Sequence, residues 1–308
     1  MRKVLITAAI DSYIQLRFEA LGFCVDVYEE IQRNELLEII AAYEVLIITT
    51  YTKVDKELLD IATNLKIVGR VGSGMENVDV IYARQKNISC VNSPEGNANA
   101  VGEHSLAMLL ALCNKLYKAN NELKKGIFLR EENRGFELDG KTIGIIGFGH
   151  TGQAFAKKLR GFDVQILVYD KYQKTATNTV QHVSLQEIQE QCDVISFHVP
   201  YNAETHHYCN AEFLSKCVRK PVIINTSRGA VVHTLDIKMA LENKKINGFC
   251  VDVFEDEPIS KNVINSKETY QDLLAFDNVV ATPHIAGWTI ESKYKLAKIL
   301  MDKIEECL

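Results

Sequence analysis

Short apolar runs alternate with segments of helical period along most of the chain. In the first hundred residues the runs are K-V-L-I-T, C-V-D-V-Y, V-L-I-I-T, K-I-V-G-R-V and I-S-C-V-N, with helical intervals such as 55–64 between them. Strands that alternate with helices in this way build parallel sheets covered on both faces. Beyond residue 140 come six more strand candidates: T-I-G-I-I-G, V-Q-I-L-V-Y, D-V-I-S-F-H, V-I-I-N, G-F-C-V-D-V and N-V-V-A-T-P-H. Helical segments over 152–159, 185–191, 211–217 and 235–243 separate them, with lengths that suit right-handed crossovers. The pattern predicts an α/β fold of two doubly wound parallel-sheet domains. Between the two strand sets it predicts an apolar-rich helix over 100–123 and a polar arm over 124–139, and at the end an amphipathic helix over 289–308. A helix apolar on so many sides must be buried, against its own fold or against another subunit.

The second strand set opens on K-T-I-G-I-I-G-F-G-H-T-G-Q-A-F-A, where Gly147, Gly149 and Gly152 fall at a strand-to-helix turn. The first glycine permits the tight turn, the second lets backbone approach a pyrophosphate, and the third lets helix pack closely on strand. Phosphate charge then sits at the helix N-terminus, where free N–H groups and the helix dipole favour an anion. The next strand ends in Asp170, eighteen residues past Gly152, where a carboxylate can accept from ribose hydroxyls. A 2′-phosphate would meet like charge there, which favours NAD over NADP even with Lys171 adjacent. The first turn of the N-terminal half, I-T-A-A-I-D-S, lacks glycine. That half has the architecture of a nucleotide fold without the phosphate cradle, and is expected to hold substrate.

Composition changes this picture little. The 308 residues are 47% hydrophobic and 24% charged, enough for about two ordinary globular domains. The net charge of −5 and the absence of a Lys/Arg run argue against nucleic acid as a partner. The N-terminus M-R-K-V-L-I-T enters a strand directly, and no apolar stretch matches a signal peptide or a membrane span. The expectation is a cytoplasmic protein with reduced thiols, since the eight cysteines are scattered with no C-x-x-C pair. His206, His207 and Cys209 cluster in T-H-H-Y-C-N, but no second Cys/His pair accompanies them, so no metal site is expected.

Three charged residues lie at or just past strand ends in the second half, where an open α/β sheet places its ligand crevice: Arg228, Glu257 and His284. A guanidinium can clamp a carboxylate bidentately while polarising a neighbouring carbonyl. An imidazole suits the acceptance of an alcohol proton, and a carboxylate behind it fixes its tautomer and stabilises the imidazolium. Singly, each has an ordinary structural reading as an ion pair or solvated loop residue. Together, beside a dinucleotide site, they describe alcohol and ketone interconversion.

The set G-F-G-H-T-G, N-T-S-R-G-A-V-V, D-V-F-E-D-E-P and T-P-H-I-A-G resembles, in family order and across nearly the whole chain, the D-isomer-specific 2-hydroxyacid dehydrogenases, a family that includes the 3-phosphoglycerate dehydrogenases. The resemblance implies an NAD-dependent D-2-hydroxyacid dehydrogenase in which Arg228, Glu257 and His284 are catalytic. It implies a flavodoxin-like substrate domain from 1–98 plus 286–308 around a Rossmann cofactor domain over 99–285, with 97–103 as the hinge. It also implies a homodimer joined through the cofactor domains, and a 2-hydroxy or 2-keto acid bound between the two domains of each chain. The loop R-V-G-S-G-M-E-N-V-D is the counterpart of the family's substrate loop, with amides around Val71, Gly72, Ser73 and Gly74 receiving the carboxylate. Cofactor contacts carry over to His150, Thr151, Val199, Pro200, Thr226, Ser227 and Asp252.

Departures bear on the substrate. Where phosphoglycerate dehydrogenases usually offer an arginine, this chain has Thr49 or Thr50, while Lys53 and Arg70 remain, so recognition of a phosphorylated substrate is weakened but stays open. The chain stops at Leu308, with no regulatory domain expected. Trp288 either walls the substrate pocket or belongs to the core. Formate dehydrogenases place glutamine where Glu257 stands. Phosphite dehydrogenases and dinucleotide-sensing corepressors share the fold and remain alternatives.

Overall fold

A computed structural model describes residues 2–172, 180–257 and 268–308, and the chain divides into two compact units, Met1–Ala98 with Trp288–Leu308, and Asn99–Gly287. The first unit holds five parallel strands, β1 (Lys3–Ile6), β2 (Cys24–Val27), β3 (Val45–Ile48), β4 (Ile67–Arg70) and β5 (Ser89–Asn92), in the order β2-β1-β3-β4-β5. This is the flavodoxin-like order. β3 and β4 are buried throughout, as β-branched runs covered on both faces must be. The helix Ile290–Glu305, capped reciprocally by Thr289 and Ser292, returns to this unit, where Ala297, Leu300, Met301 and Ile304 pack with Val4, Ile6, Ile47 and Ile67.

The second unit holds β6 (Thr142–Ile146), β7 (Gln165–Tyr169), β8 (Gln181–His182), β9 (Val194–Phe197), β10 (Val222–Asn225), β11 (Gly248–Val251) and β12 (Val279–Ala281), in the order β12-β11-β10-β9-β6-β7-β8. Every pairing is parallel. The order reverses at β6, so the crevice for a ligand opens at the carboxyl ends of β6 and β9. Alternate residues of one strand serve opposite layers: Ile143 and Ile145 of β6 join one buried cluster, Ile146 the other.

The structure departs from the sequence pattern in several places. The pattern predicts six strands here, and the described residues hold a seventh, β8, whose two residues are too short for a pattern to register. The helix expected over 100–123 begins earlier and is two helices, Glu95–Cys113 and Leu116–Lys124, parted at Lys115, which adopts a left-handed φ of +51°. The first is the buried one; no residue of the second is buried. The arm beyond is less polar than its charges suggest, with Ile127, Phe128, Leu129 and Phe136 exposed. A helix at Glu268–Leu274 was not foreseen. Trp288 is 82% exposed, which removes the core reading.

One buried group sets an acid limit. His198, just past β9, is buried with its Nε2 2.9 Å from Ser196 Oγ, and burial pushes its pKa down to about 3 from 6.5. The unfolded chain therefore takes up a proton that the folded chain refuses between those values. Stability is whole above pH 6.5 and falls as the pH drops toward 3, at about 1.4 kcal/mol per pH unit. Urea unfolding at pH 6.5 and 4.5 is expected to show a loss of about 2 kcal/mol from this group. In His198→Gln, which keeps a partner for Ser196, that part of the loss should vanish; an unchanged acid dependence would refute the account.

Candidate active site

The dinucleotide end is built where β6, β7 and β9 finish. Gly147 stands at φ +90°, and a Cβ there would lie 2.5 Å from the His198 carbonyl oxygen and 2.9 Å from Val199 Cγ1. At Gly152 a Cβ would meet the Gly147 oxygen at 2.2 Å. Gly149 differs, because nothing lies within 4 Å of its Cβ position and no side chain caps the helix His150–Lys158 that it starts. An uncapped helix N-terminus facing an open glycine cradle fits a pyrophosphate. Exposed His150 and half-buried Thr151 begin that helix, and exposed Pro200 follows Val199.

Asp170 ends β7 and braces the glycine turn: its Oδ2 accepts Phe148 N–H at 2.6 Å and its Oδ1 accepts Tyr172 N–H at 2.8 Å. The carboxylate is thus oriented beside the cradle. Lys171 next to it is engaged by Glu204, with Nζ 2.8 and 2.7 Å from the two carboxylate oxygens.

The chemistry gathers at the ends of β10, β11 and β12. Buried Asn225 shapes the turn after β10: its Oδ1 accepts from Ser227 N–H and Oγ, and its Nδ2 donates to the Arg228 carbonyl. Thr226 shares a hydrogen bond with Ser105 Oγ at 3.0 Å, so the hydroxyls of Thr226 and Ser227 are both engaged within the protein. Arg228 Nη1 donates to the Ser227 carbonyl at 2.8 Å. Gly229 then passes so close to the next loop that a Cβ would sit 1.9 Å from the Phe254 oxygen. The Arg228 turn therefore rests directly on the loop that carries Glu257.

Glu257 and His284 are in contact. Nδ1 of His284 lies 2.5 Å from Glu257 Oε2, while Oε1 of the same carboxylate accepts Phe254 N–H at 3.1 Å. A carboxylate at that distance places the hydrogen on Nδ1 and leaves Nε2 as the exchanging atom. The imidazole is half-exposed, and its backbone is left-handed at φ +56°. Pro258, the last residue of the glutamate motif, lies outside the described residues. Asp252, 1% exposed, accepts from Thr282 Oγ1 and from Ile285 and Ala286 N–H, so much of its carboxylate is committed to the histidine loop.

In the first unit the loop Val71–Gly74 follows β4. Gly72 stands at φ +146° over the buried Arg70 side chain, where a Cβ would be 2.5 Å from Nη1. Asn92 and Asn97 hold Ser73 through its carbonyl and hydroxyl. Arg70 Nη2 reaches Thr50 Oγ1 at 3.3 Å, and Lys53 pairs with Asp55 at 3.5 Å.

Elsewhere, the His206 and His207 rings stack at 3.8 Å, and His207 Nε2 bonds Glu255 Oε1. Stacked rings do not converge their nitrogens on a point, and among the described residues no group of three His, Cys, Asp or Glu could hold a metal. The eight cysteines are free. No helix among the described residues is long and apolar enough to cross a membrane. Sequence reasoning passed over Asn225, His104, Ser105 and Thr282, which support the site without advertising a chemistry of their own.

A parallel-sheet dinucleotide fold carrying this histidine–carboxylate pair defines an NAD-dependent oxidoreductase of 2-hydroxy acids. The profile of the D-isomer specific 2-hydroxyacid dehydrogenase NAD binding domain matches residues 106–286, and the chain belongs to that family. It is 35% identical to a hydroxypyruvate reductase of Thermotoga maritima over 276 residues, covering 90% of this chain and 88% of that protein. It is 34% identical to a D-3-phosphoglycerate dehydrogenase of Archaeoglobus fulgidus, covering 92% of this chain but only 53% of that one. The solved D-lactate dehydrogenase of Aquifex aeolicus, complexed with NAD and lactic acid, superposes with a TM-score of 0.86 at 30% identity, covering 98% of this chain and 94% of that one.

Proposed function

We propose that the protein interconverts a small, unphosphorylated D-2-hydroxy acid and its 2-keto acid, with His284 moving the proton. The contact between His284 Nδ1 and Glu257 carries the reading. With Nδ1–H held by Glu257, Nε2 takes the hydroxyl proton during oxidation and returns it during reduction, and the carboxylate stabilises the imidazolium in between. Arg228 pairs with the substrate carboxylate and polarises the C2 oxygen. The amides of Val71 to Gly74, beside the buried Arg70 side chain, offer donors to an anionic group of the substrate. NAD, when bound, supplies the hydride acceptor and donor. Gly147, Gly149 and Gly152 with His150 and Thr151 would hold its pyrophosphate, Asp170 its ribose, and Val199, Pro200, Thr226 and Ser227 its remaining contacts, while buried Asp252, whose two oxygens serve the histidine loop, supports the site from behind.

The absence of phosphate from the preferred substrate is supported by the missing arginine: Thr49 or Thr50 stands where a phosphate-binding relative would carry it, Arg70 bonds Thr50, and Lys53 is paired with Asp55. The homodimer is supported by the exposed Leu116, Tyr117, Leu123, Ile127 and Phe128 on and after the second helix. Two copies joined there would cover these side chains.

NADH oxidation measured with glyoxylate, hydroxypyruvate, pyruvate and phosphohydroxypyruvate tests the reading. At least one unphosphorylated acid is expected to exceed phosphohydroxypyruvate in kcat/KM, and NADPH to fall at least about tenfold below NADH, a difference of about 1.4 kcal/mol from charge repulsion at Asp170. Silence across the acids would overturn it in favour of a dinucleotide sensor, and NAD reduction by phosphite in favour of a phosphite dehydrogenase.

A further inference from the structure

Helix Glu95–Cys113 presents a histidine that the scheme above does not use. His104 Nε2 lies 2.9 Å from Thr282 Oγ1, and Thr282 Oγ1 lies 2.5 Å from Asp252 Oδ1. A hydroxyl has one proton to give. The carboxylate oxygen only accepts, so that proton goes to Asp252, and the Thr282 lone pair faces His104, whose Nε2 therefore carries hydrogen. The direction of the chain is fixed: His104 donates to Thr282, and Thr282 to Asp252. His104 is 3.8 Å from Asp252 itself, so the hydroxyl is the link.

Asp252 is where the histidine loop is fastened. Its Oδ1 takes Ile285 N–H and its Oδ2 takes Ala286 N–H, both at 2.8 Å, while its backbone oxygen takes His284 N–H at 2.7 Å. These bonds hold His284 in a left-handed conformation that a non-glycine residue adopts only when its surroundings impose it. If the carboxylate rotated, two of the bonds would loosen and Nδ1 would drift from Glu257. Thr282 is the side-chain group that holds Oδ1 beside Ile285 N–H and so opposes such rotation, and His104 fixes which way its hydroxyl points.

We infer that His104 is a positioning residue for the reaction, acting through the Thr282 hydroxyl and Asp252 to hold His284 in register with Glu257. It touches no reacting atom. The inference rests on the assignment of His284 as the acid and base, and the test separates the two.

Steady-state rates are measured on the full chain with NADH and the 2-keto acid it reduces fastest, together with NADH binding by fluorescence titration. His104→Leu is expected to lower kcat at least about tenfold, the scale of a sub-ångström misplacement, while NADH affinity stays within about twofold. His104→Gln, whose amide N–H stands near the position of Nε2–H, should recover most of the rate. Thr282→Val, which conserves volume, should match the loss, and the double variant should lose no more than Thr282→Val alone. A parental kcat in either single variant, losses that multiply in the double variant, or a parallel loss of NADH affinity would overturn the inference. His284→Ala serves as the control: parental turnover there would sink the acid–base assignment, whereas an inactive His284→Ala beside fully active His104→Leu and Thr282→Val would sink only the positioning role. If His104→Leu does not fold, Thr282→Val decides alone.

Discussion

His284→Ala is expected to lower kcat for keto-acid reduction by about 10² to 10⁴, the usual worth of a positioned acid–base group, while NADH binds within about twofold of the parent. The imidazole is half-exposed, so its loss removes little buried contact from the fold. The loop is held instead by Asp252 through Ile285 and Ala286 N–H. A structural histidine would lose stability and cofactor affinity along with rate. Rate alone should fall, as steady-state kinetics, thermal melts and fluorescence titration on the same sample would show. Turnover within tenfold of the parent would remove His284 from the reaction.

The second large effect is expected at a residue with no functional group. Gly229→Ala would put a methyl 1.9 Å from the Phe254 oxygen and 2.0 Å from its carbonyl carbon, and backbone cannot rotate aside as a flexible side chain can. Relief requires that the Arg228 turn and the Phe254–Glu257 loop part. Overpacking of this severity costs about 3 kcal/mol or more. For a unit of this size that is a fall in Tm of about 6–12 °C. Because both loops carry proposed reacting residues, kcat should drop at least about tenfold in whatever protein folds. A variant that melts with the parent and turns over normally would show that the two loops are not coupled.

The strands could be read from sequence because parallel strands buried on both faces leave continuous β-branched runs such as V-L-I-I and V-I-I-N. β8 left no such mark, since two residues at a sheet edge have little apolar surface to bury. Nor did the break at Lys115: a left-handed residue in N-K-L-Y follows from how two helices are held, not from a glycine that announces it. At the site, Glu257 and His284 were legible because their motifs fall at strand ends. Their supports were not, because partnership is made in three dimensions. His104 and Thr282 are 178 positions apart. The available signal was polarity out of place: an asparagine closing an otherwise apolar strand at Asn225, and His104–Ser105 inside A-V-G-E-H-S-L-A-M-L-L. Such residues in buried elements must find partners, and finding them is what shaped the turns around the site.

The return of the last helix to the first unit has a consequence for biosynthesis. The strands within residues 3–92 are made before the helix Ile290–Glu305, so Val4, Ile6 and Ile47 lack the cover of Ala297, Leu300, Met301 and Ile304 until those residues follow. The middle of the chain, by contrast, is contiguous and can close its own core beforehand. Until then part of that aliphatic face stays uncovered in the nascent chain.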